Sequence, residues 1–380
     1  MNWQAVYDRY PVNGHLIWLN NCGTTPAGTH IVDAMTRFLQ GYARRGTLTR
    51  TARYGDVQRR IKAILAPLLN CRADELGLIH HTAEGMNFIS HGLGLREGDE
   101  ILLLENEYPS NVYPWRHWAR KGVVLKTVPM AETPAGFAEN FRSAITPATR
   151  VAALSAVHWC TGMPLPLEEI GDACRRHGID LVVDGAQGVG MRPIDVQACN
   201  IAYMAFPTWK WLMGPLGMGV LFIRRDRLEG LQPIFVGTES VVDDERYLPY
   251  RDELKPSTDR FTISTANFND WVYFQAALEM LEEIGFEKVR QRLGELGEHL
   301  CNGLREAGCR LLSDAFAGDR SAICVFESPS ETAERTLQRF QEAGIVAAER
   351  LGRVRLSPHI YNSFEQLDRV VETVRGTASS

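Results

Sequence analysis

Apolar residues recur at helical spacing over 30–45 (HIVDAMTRFLQGYARR) and 57–69 (VQRRIKAILAPLL), which predicts two amphipathic helices early in the chain. Further on the pattern changes to short, continuous apolar runs: EILLLE (100–105), VVLKTVP (123–129), VAALSAV (151–157), LVVD (181–184), IAYMAF (201–206) and GVLFIRR (219–225). Such runs, separated by helical stretches, are expected of strands buried on both faces of a parallel sheet. The alternation predicts an α/β fold whose large domain is a mainly parallel sheet flanked by helices. Residues 235–262 are charged and broken by prolines and read as a long surface loop. A long amphipathic helix follows, interrupted near Gly285, and leads to strands at 323–327 and 353–357 around a helix at 331–343. That pattern predicts a small α+β C-terminal domain, with the large domain at 1–280 and the small one at 281–380.

Composition narrows the class. At 380 residues, with 45% hydrophobic and 23% charged positions, the chain can bury a sizeable core. A net charge of −5 and the lack of any basic run argue against a nucleic-acid partner. No apolar stretch approaches the ~18 residues of a membrane span. The first fifteen residues have neither a basic nor an apolar signal region. Eight cysteines without a CxxC pair suit free thiols in a reducing, cytoplasmic compartment, and no metal is expected.

Lys210 stands between Trp209 and Trp211 in TWKWLMGPLG (208–217). Desolvation disfavours the charged form of a lysine and frees its amine to attack a carbonyl, the step that forms a Schiff base. The alternative is an amphipathic lysine that buries its stem and keeps the ammonium in water. Asp184 ends the apolar run of IDLVVDGAQGVG (179–190), where a parallel strand would deliver it to the ligand crevice at the sheet's carboxyl edge. Alone, Asp-Gly is more often a turn or a cap. A lysine in an apolar setting 26 residues downstream favours the second use of this carboxylate, holding a pyridine nitrogen protonated.

VDGAQGVG and AFPTWKWLMGPLGMGVLFI together resemble the class V aminotransferases, fold-type I enzymes that use pyridoxal 5′-phosphate (PLP). WLNNCGTTP (18–26), HTAEGMN (81–87), ENEYPSNVYPW (105–115), SAVHWCTG (155–162), RFTISTANF (260–268) and VRLSPHIYN (354–362) fall in the same order as in that family. The resemblance implies PLP as cofactor, Lys210 as its lysine and Asp184 as partner of its ring nitrogen. Tyr108 would stack on one ring face and serve as an acid, where desulfurases carry histidine. Ala186 would lie on the other face, and Gln187 would reach the phenolic oxygen. Thr82, Ala83 and Glu84 would form the phosphate cradle with Thr208 and Trp209. Thr265 would reach the phosphate of a partner subunit, giving a homodimer with shared active sites. Arg355 would grip the α-carboxylate of an amino-acid substrate, as its planar fork pairs with both oxygens. Gly23, Thr24 and Thr25 would line the substrate entrance, with His158 and Trp159 near the substrate.

Cysteine desulfurases of this family need a loop cysteine shortly before the carboxylate-binding arginine. EAGIVAAERLGRVR (342–355) has none, and Cys324 falls in a predicted strand. That absence, with Tyr108 and the aromatic set Trp115, Trp159 and Trp209, suggests a β-eliminating C–S lyase acting on S-substituted cysteine conjugates in thiol or natural-product metabolism, and not a cysteine desulfurase. An isopenicillin-N-epimerase-like epimerase, an aminotransferase or a decarboxylation-coupled deaminase is the alternative. The complete set Lys210, Asp184 and Arg355 argues against a non-catalytic PLP-binding protein.

Overall fold

The computed structural model describes residues 1–46 and 54–376. The chain begins with α1 (Trp3–Asp8), β1 (Ile17–Trp18), α2 (Thr29–Arg45) and α3 (Tyr54–Leu69). Strands and helices then alternate: β2 (Leu76–Ile79), α4 (Thr82–Gly92), β3 (Glu100–Leu104), α5 (Tyr113–Ala119), β4 (Val124–Val128), α6 (Pro134–Ala144), β5 (Thr149–Ser155), α7 (Leu167–His177) and β6 (Asp180–Asp184). After β7 (Tyr203–Pro207) and β8 (Gly219–Ile223) come two long helices, α8 (Phe268–Ile284) and α9 (Phe286–Glu306). The last part holds β9 (Arg310–Leu311), β10 (Cys324–Glu327), α10 (Ala333–Glu342), β11 (Ile345–Val346), β12 (Ala348–Arg350), β13 (Arg353–Leu356) and α11 (Phe364–Arg375).

Seven strands form one sheet in the order β2-β8-β7-β6-β5-β3-β4. Only β8 runs against its neighbours, so the sheet is mainly parallel. Strands β5 to β8 are almost wholly buried, as continuous apolar runs require of a sheet covered on both faces. Separate apolar clusters pack on each face, one including Leu154, Val183 and Phe206, the other Ala153, Val182 and Ala205. The alternation of neighbouring residues between clusters is the two-residue period of a strand.

A second sheet, β12-β13-β10-β9, is antiparallel throughout and shares an apolar cluster with residues of α9, α10 and α11. Ile17 and Leu19 lie in this cluster too, because β1 pairs in parallel with β11 and Asn20 bridges Ser357. The N-terminal segment thus packs with the C-terminal sheet. A division at 280/281 would cut α8, which runs four residues further to a break at Gly285 with φ +89°. Four-residue β2, preceded by a charged turn, was not expected from the apolar pattern. Between Leu228 and Ser257 the chain has no helix or strand, in keeping with the proline-broken stretch.

Candidate active site

The carboxyl ends of the parallel strands converge on a cavity of about 370 Å³. Asp184 is the last residue of β6, and Lys210 stands on the short connection from β7 to β8. That connection is fixed from inside. The Thr208 hydroxyl donates to the carbonyls of Pro215 and Met218, and the Thr25 hydroxyl donates to the Lys210 carbonyl at 2.8 Å. The Thr25 N–H also donates to the Trp209 carbonyl at 2.9 Å. The lysine is therefore held by residues almost two hundred positions apart in sequence.

Lys210 is 9% exposed, and burial lowers its pKa below the ordinary lysine range. The Asp184 carboxylate opposes that shift, while Arg355 and Arg350 reinforce it. Its Nζ lies 5.5 Å from the centroid of the Tyr108 ring. The Asp184 Oδ1 accepts the Ala186 N–H at 2.8 Å, but its buried Oδ2 has no hydrogen-bond partner. A lone buried acceptor of this kind is costly unless a ligand completes it.

Arg355 of β13 donates from Nη1 to the Trp159 carbonyl at 2.7 Å, and its Nε is likewise without a partner. The Trp159 indole N–H is committed to the Asn106 carbonyl, and its ring meets Tyr108 edge to face at 5.4 Å. Gln187 donates to the Cys22 carbonyl and accepts from Trp211, so its amide is oriented before any ligand arrives. Thr82 and Ala83 open α4, whose first-turn N–H groups have no intrahelical acceptor and so favour an anion. The cap is His81, whose ring accepts the Glu84 N–H, rather than Thr82.

Of the residues singled out in the sequence, Lys210, Asp184, Tyr108, Gln187, Ala186, Thr82, Ala83, Trp209, Arg355, Gly23 and Trp159 line this cavity. The others are not among its lining residues. Thr208 and Thr25 spend their hydroxyls on backbone carbonyls, and the Thr24 carbonyl receives the Trp18 indole N–H. His158 is buried against Thr161 and the Asn106 carbonyl, and burial pushes its pKa down to about 4. Trp115 is in the core, where its indole donates to Asn111. Glu84 engages His80 in an adjoining groove that Thr265 also lines.

Glu107 and Arg350 escaped the sequence reading. Glu107 accepts from the Tyr108 N–H, from Asn111 and from both the backbone and hydroxyl of Ser155. Burial and the charge of Asp184 push its pKa up to about 7 against those donors. Its signal was a charged residue directly preceding Tyr108. Arg350 lines the cavity beside Arg355, but in the sequence it stood within the charged stretch ERLGRVR and resembled a surface residue.

An open, mainly parallel sheet with helices on both faces and a ligand cavity at its carboxyl edge is the architecture of fold-type I enzymes. The family model for aminotransferase class-V matches residues 17–370, and the chain belongs to that family. A cysteine desulfurase of Synechococcus elongatus is 27% identical over 96% of this chain, which spans 61% of that protein. A probable cysteine desulfurase of Methanothermobacter thermautotrophicus is 25% identical, covering 100% of this chain and 98% of its own length. Among solved structures, a lysine-to-alanine mutant of C-DES, with glycine covalently linked to its PLP cofactor, superposes with a TM-score of 0.90 at 24% identity, covering 97% of this chain and 99% of that one.

These relatives overturn the reading of a lyase for cysteine conjugates, and with it the epimerase alternative and the exclusion of a cysteine desulfurase. Curated relatives from bacteria and archaea carry the desulfurase name, although the segment before Arg355 has no thiol here. A missing loop cysteine speaks to where sulfur goes next. It does not decide which amino acid enters the cavity.

Proposed function

We propose that the chain is a PLP-dependent enzyme that cleaves the C–S bond of cysteine, the activity for which its relatives are named. The observation that carries this reading is the convergence of Lys210, Asp184 and Arg355 on one cavity. The residues fit PLP. The unpartnered Asp184 Oδ2 suits a protonated ring nitrogen, the first turn of α4 suits the phosphate, and Tyr108 and Ala186 suit the two ring faces. Lys210 suits the aldehyde carbon, since burial favours its neutral amine.

PLP, when bound, draws electrons away from the substrate's α-carbon. Arg355 holds the α-carboxylate as a bidentate pair and so fixes which α-bond faces the ring. The Lys210 amine takes the proton from that carbon, and once the sulfur has passed to a thiol, one proton delivered to the β-carbon and one returned to the α-carbon complete the conversion to alanine. Asp184, kept from water, holds its proton partner without reorganising. The hairpin of β12 and β13 offers no thiol, so an added thiol takes the sulfur, with two thiol equivalents yielding alanine, sulfide and a disulfide. The protein functions as a homodimer in the cytoplasm. Among the described residues no helix is long and apolar enough to cross a membrane.

Incubation of the PLP-loaded protein with L-cysteine and dithiothreitol should give alanine and sulfide in equal amounts, and Lys210→Ala should give neither. Pyruvate and ammonia in place of alanine would overturn the proposal.

A further inference from the structure

Two arginines face the cavity, and an α-carboxylate needs only one. Register explains why both are there. Ala348 of β12 lies opposite Arg355 of β13, and Arg350 is two residues beyond Ala348, on the same face of the sheet. Arg350 donates from Nη1 to the Glu349 carbonyl, and its guanidinium lies 5.7 Å from the centroid of the Trp159 ring. Its buried Nε has no partner, like that of Arg355. Among the described residues neither guanidinium has a carboxylate within 4.0 Å, whereas Arg353 between them pairs with Glu327. Both charges act on Lys210 across the same space. Two neighbouring cations without counter-charges, Arg355 buried and Arg350 partly buried, repel each other, an arrangement that is costly until anions enter.

We propose that Arg350 is a specificity-determining residue which pairs with an anionic group at the end of the substrate's side chain, while Arg355 holds the α-carboxylate. The proposal rests on the cavity being an amino-acid site and names its substrate class: α-amino acids whose side chains end in a thiolate, sulfinate or carboxylate. A neutral side chain of similar size leaves Arg350 uncompensated. An acidic one gains a charge-assisted pair in a partly desolvated setting, the kind that discriminates most strongly.

The test uses the PLP-loaded protein and reads binding from the cofactor's absorbance. L-aspartate and L-cysteinesulfinate are the acidic probes, L-alanine and L-serine the neutral ones. The acidic pair should bind at least about tenfold more tightly, the scale of one charge-assisted hydrogen bond. Arg350→Gln should erase that preference by weakening the acidic probes far more than L-alanine, and Arg350→Lys should restore part of it. Arg355→Gln should weaken all four probes. Equal binding of acidic and neutral probes by the unaltered protein would overturn the proposal. So would equal weakening of both by Arg350→Gln, which would make the arginine a support for Trp159. If no amino acid perturbs the cofactor, the amino-acid site itself fails, a result distinct from a lost preference.

Discussion

Two buried carboxylates, Glu107 and Asp184, stand behind the cavity, and only Asp184 keeps an oxygen free for a ligand. Glu107 instead orients Tyr108 through its backbone N–H. Its pKa is raised in the folded chain, so the native state binds this proton more tightly than the unfolded state does. The resulting stabilisation is complete below the ordinary value of 4.5 and is lost as pH rises through about 7. Glu107→Gln cannot titrate. The cofactor-free wild type should therefore lose up to about 3 kcal/mol relative to the variant on going from about pH 4.5 to about pH 8. Urea unfolding of both proteins at the two ends of that range checks this, and a constant difference would show that Glu107 does not titrate there. At this scale the sequence was legible where chemistry contradicts context, as for Lys210 between tryptophans and Asp184 at the end of an apolar run. It was illegible where direction decides. Thr208 and Thr25 lie close to the lysine in sequence or space and His158 adjoins Trp159, yet their polar atoms are spent on backbone carbonyls or a neighbouring hydroxyl, which no one-dimensional pattern reveals.

Helix α4 owes its place to Gly85. A Cβ there would lie 2.6 Å from the Ala205 Cβ on β7 and 2.9 Å from the Ile79 Cδ1 on β2. The missing side chain lets the helix rest directly on the sheet, with its amino end at the cavity. Gly85→Ala should cost about 1–3 kcal/mol through overpacking and lift that end outward. PLP affinity should fall at least about tenfold, since about 1.4 kcal/mol corresponds to one decade. Absorbance titration of cofactor-free protein gives the comparison, and unchanged affinity would detach the first turn of α4 from phosphate binding. The strands of the large sheet were readable because burial on both faces leaves an unbroken apolar run. β2 was missed because LGLI is only four residues long, and because it joins the sheet through β8, more than a hundred positions away. The interruption expected near Gly285 is where α8 ends, at a positive φ just beyond Ile284.

At the scale of the molecule, the groove holding Thr265, His80 and Glu84 opens beside the cavity, at its surface. Phe235 and Val236 are each 58% exposed and Leu216 is 66% exposed, apolar surface that a soluble monomer would tend to cover. A homodimer is expected, and sedimentation equilibrium should return twice the chain mass of 42.6 kDa. A fully active monomer would remove the shared-site arrangement. No local pattern points to such an assembly; only the ordered motifs imply it. The pairing of β1 with β11, and the clasp of Thr25 on the lysine connection, carry a consequence for synthesis. The segment at Ile17–Trp18 leaves the ribosome early, but its partner at Ile345–Val346 is made more than three hundred residues later. At about 5–20 residues per second that interval is roughly 15 to 65 s. In its last part, once β8 has been made, the large sheet can fold with Lys210 in place, while the strand that ties the N-terminal segment to Arg350 and Arg355 does not yet exist. Arg350 and Arg355 therefore join the cavity only after Asp184 and Lys210 have been made, and the N-terminal segment gains its strand partner at the same late stage.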